Sequence, residues 1–138
     1  MTSTTTELSL DEIFNLAKAA LINNGANEEN ADAVATTVTN AERDGSVSHG
    51  LFRIPGYVKA LQSNKVDGSA KPEIEEVTPT IFRCDAQNGF APLAHKYGIK
   101  KLIEAANAFG IAGLAIKRCH HFAALWPEVE AIRDQGLV

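Results

Sequence analysis

Long apolar runs are missing from these 138 residues. No stretch approaches the roughly 18 to 20 residues that a helix needs to cross a bilayer. The opening residues, Met1 to Glu7, lack the basic start and apolar stretch of a secretory signal and read as a disordered lead-in over 1–8. Cysteine is scarce: Cys84 and Cys119 stand far apart with no C-x-x-C spacing, so reduced thiols serving as small core residues of a cytoplasmic protein are expected. A clustered basic face is missing too. The net charge is -4 with Lys and Arg scattered, which argues against a nucleic-acid partner. Neither G-x-G-x-x-G nor G-x-x-x-x-G-K occurs, so the ordinary Rossmann and P-loop phosphate cradles are excluded. No serine sits in a G-x-S-x-G elbow, and no internal repeat is present. What remains is a chain with 45% hydrophobic and 22% charged residues, the balance of a globular protein with one ordinary domain or two small ones.

The periodicity then sets out elements. Ser9 and Glu12 form a capping-box pattern, and Ile13, Leu16, Ala17, Ala20 and Leu21 fall on one face of the helix it opens. Asn23, Asn24 and Gly25 end that helix, and Asn27 caps a second with Ala31, Val34, Ala35 and Val38 inside. A third helix is predicted from Leu51 to about Ser63, with Leu51, Ile54, Val58 and Leu61 inward and Pro55 in its first turn. The polar stretch 65–71 marks a subdomain boundary. Residues 73–77 and 80–85 read as short strands at a sheet margin. Pro92 opens a helix carrying Leu93, Tyr97, Leu102, Ile103 and Ala106 that stops at Gly110. The apolar run 111–116 reads as a strand buried on both faces. A helix over 126–135 follows, and Leu137 and Val138 read as the start of a further strand, so that a βαβ unit is left with an open pairing edge. Cys84, Tyr97 and Trp126 are expected in the core.

Two segments carry chemistry. In Ser48-His49-Gly50 followed by Arg53, the imidazole and the guanidinium lie about one helical turn apart and can reach one pocket. Histidine suits proton exchange with a carbonyl or hydroxyl, and arginine's planar fork suits a carboxylate. The alternative is that His49 caps a helix and Arg53 is a solvated charge. The second segment is the loop from Lys117 to Trp126, following the apolar strand, where α/β proteins bind ligands. Ala123 and Ala124 would let a cofactor approach, and the next helix N-terminus could hold a phosphate. Metal binding by Cys119, His120 and His121, or packing alone by Phe122, Leu125 and Trp126, are the competing readings of that loop.

At Ser48-His49-Gly50-x-x-Arg53-x-Pro55-x-Tyr57, and again at His120-His-Phe-Ala-Ala-Leu125, the sequence resembles the malate/L-lactate dehydrogenase family, which includes ureidoglycolate and sulfolactate dehydrogenases and piperideine-2-carboxylate reductases. The resemblance runs from about Ser9 to Val138. It implies a mixed α/β, sulfolactate-dehydrogenase-like (non-Rossmann) fold, with a helical subdomain over 9–70 and an incomplete α/β cofactor-binding segment over 71–138. It implies His49 as the proton donor or acceptor, Ser48 as its relay partner and Arg53 as the carboxylate holder. His121, Phe122, Ala123, Ala124 and Leu125 would line NAD or NADP, with Ala123 standing where the family commonly has glycine. The implied substrate is a small 2-oxo or 2-hydroxy acid or a cyclic imine, and the implied assembly a homodimer; the scattered charge, the short apolar runs and the missing ligand spacing lead to the expectation of no nucleic-acid or membrane partner and no metal. Family chains are well over twice this length, so the sequence reads as a fragment that would have little or no turnover alone. The rival expectation is an inactive remnant or binding module that keeps the helical subdomain.

Overall fold

The capping box at Ser9 forms as its residue types require. In the computed structural model, which describes residues 6–120 and 124–138, the Glu12 N–H donates to the Ser9 hydroxyl and the Ser9 N–H to the Glu12 carboxylate, at 3.2 and 2.8 Å. Helix α1 (Leu10–Ile22) buries Ile13, Ala17 and Leu21. Leu16, expected inside, is 54% exposed. At about 100° per residue it lies roughly 100° around the helix from the middle of that buried line, outside the stripe that α1 presents. Asn27 caps α2 (Glu28–Arg43) by accepting from the Asn30 N–H at 2.9 Å. The predicted inner residues Ala31, Val34, Ala35 and Val38 are all buried.

The third helix starts later than its pattern predicts. Val47–His49 and Leu51–Arg53 form two short 3-10 turns, and α3 runs over Ile54–Gln62. Pro55 explains the shift: its ring would meet the carbonyl of Leu51 if the helix continued backwards. These helices enclose a core of Ala17, Leu21, Val34, Val38, Tyr57 and Leu61, closed by Val66 and by Phe90 from farther along the chain. The Phe90 and Tyr57 rings meet edge to face at 5.7 Å. Each large side chain buried there contributes about 1.5–3 kcal/mol.

Strands β1 (Glu73–Thr78) and β2 (Ile81–Asp85) form an antiparallel hairpin, with Ile74 opposite Cys84. Helix α4 (Ala91–Phe109) carries Pro92 in its first turn and ends on left-handed Gly110 at φ 85°. It returns the chain to β3 (Gly113–Lys117), which lies parallel to β2. The order is β1-β2-β3. The parallel βαβ unit is therefore β2-α4-β3, one step earlier than the sequence suggests, and β2 is the middle strand rather than a margin. Leu137 and Val138 are coil, not strand.

β3 also departs from expectation. Its residues are half-buried or exposed, and Ile111 just before it is 77% exposed. The helix α4 supplies its cover: a Cβ at Gly98 would overlap the Leu114 side chain, so the absent side chain is what lets strand and helix close up. The second core is correspondingly small: Cys84, Ala86 and Ala94, with Ile74, Leu114, Ile116 and Cys119 around it. Burial there pushes the Cys84 thiol up to about 11, so it is an inert packing group. The whole is mixed α/β, as expected.

Candidate active site

The Ser-His-Gly loop begins where α2 ends. Gly45, at φ 73°, makes the left-handed turn that an L side chain resists. The Ser46 N–H bonds back to the Ala41 carbonyl at 2.8 Å, and the His49 N–H to the Ser46 carbonyl at 2.8 Å. Glu42, near the end of α2, then fixes the loop from below. Its carboxylate accepts from the Leu51 N–H at 2.7 Å and lies over Gly50, where a Cβ would overlap it. A methyl at 50 would push the Glu42 carboxylate off the Leu51 N–H, a close approach that Glu42 reveals and the sequence alone does not.

Around that anchor three side chains converge. The Ser48 and Ser46 hydroxyls lie 3.0 and 3.2 Å from His49 Nδ1. A hydroxyl both donates and accepts, so the pair can serve either imidazole tautomer; both occupy Nδ1, which leaves Nε2 as the ring nitrogen for another partner. Arg53 Nε donates to the Ser48 carbonyl at 3.0 Å. Ser48 is therefore tied to both the imidazole and the guanidinium. Arg53 is close enough to act on Tyr57, whose phenol burial raises while the arginine charge opposes the rise.

Trp126 forms a fourth side. It opens α5 (Trp126–Arg133), and its indole N–H donates to Asp44 Oδ2 at 2.7 Å. Its ring stands edge to face with His49, centroids 6.3 Å apart at 73°. Arg43 grips both Asp44 oxygens at 2.7 and 2.8 Å and reaches Glu130 of α5 at 3.3 Å. The Arg43 guanidinium, and after it the indole N–H, hold the Asp44 carboxyl at about 2. Trp126 is half-exposed and tethered through its nitrogen, not the core residue expected. Tyr97 is likewise no core residue: its hydroxyl lies 2.9 and 3.1 Å from the two Glu29 oxygens.

Of the expected cofactor-lining residues, His121, Phe122 and Ala123 lie outside the described residues. Ala124 is 2% exposed and Leu125 is 64% exposed, side by side at the entrance to α5. The loop leaves the sheet beside α4: the His120 N–H donates to the Gly89 carbonyl at 2.8 Å, and the His120 ring meets Phe90 edge to face. Of the alternative metal ligands, Cys119 packs against the Cys84 cluster, and no group of three or more His, Cys, Asp or Glu residues that could hold a metal occurs among the described residues. The α5 N-terminus suits a phosphate poorly. Leu125 gives no side-chain cap, Pro127 lacks an N–H, and Glu128 puts a carboxyl in the first turn. The cleft of about 470 Å³ lined by Asn24, Gln62, Asp67 and Ser69 includes none of these residues. No helix among the described residues is long and apolar enough to cross a membrane.

Known proteins share both sequence and architecture. The chain is 45% identical over 130 residues to a Delta(1)-pyrroline-2-carboxylate reductase of Ancylobacter novellus, covering 94% of this chain and 38% of that protein. It is 46% identical over 134 residues to a Delta(1)-pyrroline-2-carboxylate/Delta(1)-piperideine-2-carboxylate reductase of Pseudomonas syringae pv. tomato, covering 97% of this chain and 39% of that one. The crystal structure of the delta1-piperideine-2-carboxylate reductase from Pseudomonas syringae superposes with a TM-score of 0.92 at 45% identity, over 96% of this chain and 40% of that one. Sulfolactate dehydrogenase from Methanocaldococcus jannaschii gives 0.85 at 24% identity over 93% and 37%, which speaks for the fold alone. The chain thus spans about 40% of the length of the relatives it matches. A family profile described as malate/L-lactate dehydrogenase matches residues 8–138, and the protein belongs to that family.

Proposed function

We propose that these residues are the proton-transfer and carboxylate-binding part of an NAD(P)-dependent reductase for small ring imines bearing a carboxylate, with 2-oxo acids as the neighbouring substrate class. The observation that carries this reading is the double tie of Ser48, through its hydroxyl to His49 Nδ1 and through its carbonyl to Arg53 Nε. It holds an acid/base group and an anion-binding group on one rigid turn. The names of the 45–46% identical relatives favour the imine over the hydroxy acid.

Arg53 would take the substrate carboxylate through its terminal nitrogens, since Nε is already engaged. The carboxylate so placed sets the adjacent C=N or C=O toward His49 Nε2. His49 gives its proton to the imine nitrogen, or to the carbonyl oxygen of a 2-oxo acid, while the Ser46 and Ser48 hydroxyls steady the ring as its charge changes. In the oxidative direction the same nitrogen takes that proton back. A bound nicotinamide supplies the hydride to the neighbouring carbon. Leu125 offers an exposed apolar side chain for a flat ring beside the loop, while Ala124 is covered by the protein itself, and the α5 N-terminus is ill-suited to the phosphates. His121, Phe122 and Ala123 belong to the same proposed ring site through the family resemblance. That resemblance also supports a cytoplasmic homodimer.

A chimera tests the reading. Residues 8–138 replace the matching span of the Pseudomonas syringae reductase, and turnover of NADH and NADPH is followed with pyrroline-2-carboxylate, piperideine-2-carboxylate and pyruvate. We expect imine-dependent turnover that falls about 10²- to 10⁴-fold with His49→Ala at unchanged circular dichroism. Arg53→Ala should weaken apparent substrate affinity by roughly 10- to 100-fold, the loss of a charged hydrogen bond of about 1.5–3 kcal/mol. A folded chimera that binds the carboxylate and turns nothing over identifies a binding module instead.

A further inference from the structure

The loop that holds His49 and the helix α5 are joined by contacts that the proton transfer itself does not use. Asp44 lies at the C-terminus of α2 and Trp126 at the N-terminus of α5, and the indole N–H to carboxylate bond of 2.7 Å closes the gap between them. Arg43 doubles the link by holding Asp44 and reaching Glu130 at 3.3 Å. On the other side of the indole stands His49, at 6.3 Å and 73°. Two serine hydroxyls hold one edge of the imidazole and an aromatic ring flanks it, so its rotation about χ2 is restricted from both directions.

We propose that Trp126 is a positioning residue for His49, held in place by Asp44, so that the imidazole keeps Nε2 turned toward a bound substrate. The proposal rests on the reading of His49 as the proton-transfer group, but its physical content, a tethered indole restraining an imidazole, is independent of any reaction. Asp44 remains ionised well below neutrality because Arg43 and the indole N–H favour its charged form, so the tether persists over the range in which histidines titrate. The charged groups around the pair are Glu42 and Arg43 on α2, Asp44, Arg53 before α3 and Glu130 on α5.

The protein contains 1 tryptophan, so its emission comes from Trp126, and the variants separate the His49 contact from the rest of its surroundings. An imidazolium in contact with an indole quenches its fluorescence. Emission is measured against pH on the 138-residue protein, with His49 followed by NMR of its ring protons in the same buffer. The expected result is a loss of emission on acidification with the midpoint of His49, absent in His49→Gln. Asp44→Asn keeps the shape and removes the charged acceptor; it should shift emission to the red, flatten the pH profile, and broaden the His49 ring resonances as the ring gains freedom. Emission indifferent to pH, a titration that survives His49→Gln, or an Asp44→Asn protein identical to the parent in both readouts overturns the proposal. No substrate enters this experiment, so an inactive chimera with the coupling intact would fault the functional reading and leave the positioning contact standing.

Discussion

The helical half and the sheet half of this chain bury their apolar surface by different means. Between α1, α2 and α3 the core is closed tightly, with Phe90 joining from farther along the chain: Leu21 and Val38 are fully buried, and Val34 and Phe90 are 1% exposed. Across β1-β2-β3 the cluster is smaller, with Cys84, Ala86 and Ala94 at its centre and Phe82 buried separately on β2, and β3 keeps half-buried or exposed positions along its length. The proposed acid/base and carboxylate groups sit on the closed half, where a rigid α2 terminus can hold them. The residues proposed for the nicotinamide sit on the open half.

Substitutions can break that contrast. Leu21→Ala should cost about 3 kcal/mol in chemical denaturation, within the range for a fully buried leucine. Leu114→Ala, half-buried on β3, should cost less than half as much. Equal losses would mean that the two cores are equivalent. Next in size, Gly50→Ala forces a methyl into the Glu42 carboxylate and should cost about 1–3 kcal/mol. Combining it with Glu42→Ala should cost less than the sum of the single changes, because one removes what the other strikes.

Smaller effects follow pH. His95 borders a cleft of about 280 Å³ between α2, α4 and α5, and burial lowers its pKa. Below the ordinary value of about 6.5 the unfolded chain takes the proton first, so stability falls on acidification. Thermal melting of the parent should therefore decline from pH 7.5 to 5 more than that of His95→Gln. Burial raises Glu128 in the same cleft, which gives the opposite slope as its proton is lost, so the His95 variant is needed to separate the two. Smallest is the exposed Asp44. Its lowered pKa stabilises the fold above about pH 4 and that contribution disappears toward pH 2, so Asp44→Asn and the parent should melt apart at pH 6 and together at pH 2.

Much of the helical half was legible because its signals are local. The Ser9-Glu12 box, the Asn27 cap and the i, i+3, i+4 spacing of α2 each act within a turn or two of the chain. The Ser48-His49-Gly50 and Arg53 pattern is local as well, and the structure ties the imidazole to the Ser48 hydroxyl and the guanidinium to the Ser48 carbonyl. What escaped depends on distant returns of the chain. Trp126 looked like a core aromatic because the Asp44 that receives its N–H lies 82 residues away. The role of Glu42 escaped because nothing in its neighbourhood announces its close approach to Gly50. The apolar run before Lys117 resembled a doubly buried strand, yet apolar composition records what a strand can bury, not what stands against it.

The central claim is that Ser48, His49 and Arg53 act together on a carboxylate-bearing molecule. Proline, the product expected from reduction of pyrroline-2-carboxylate, can be titrated into the ¹⁵N-labelled protein while backbone and arginine side-chain NMR signals are followed. Saturable shifts at Ser48, His49, Gly50 and Arg53 with one common affinity, lost in Arg53→Ala, are predicted. Shifts confined to Asn24, Asp67 and Ser69 of the larger cleft, or unchanged by Arg53→Ala, would contradict it.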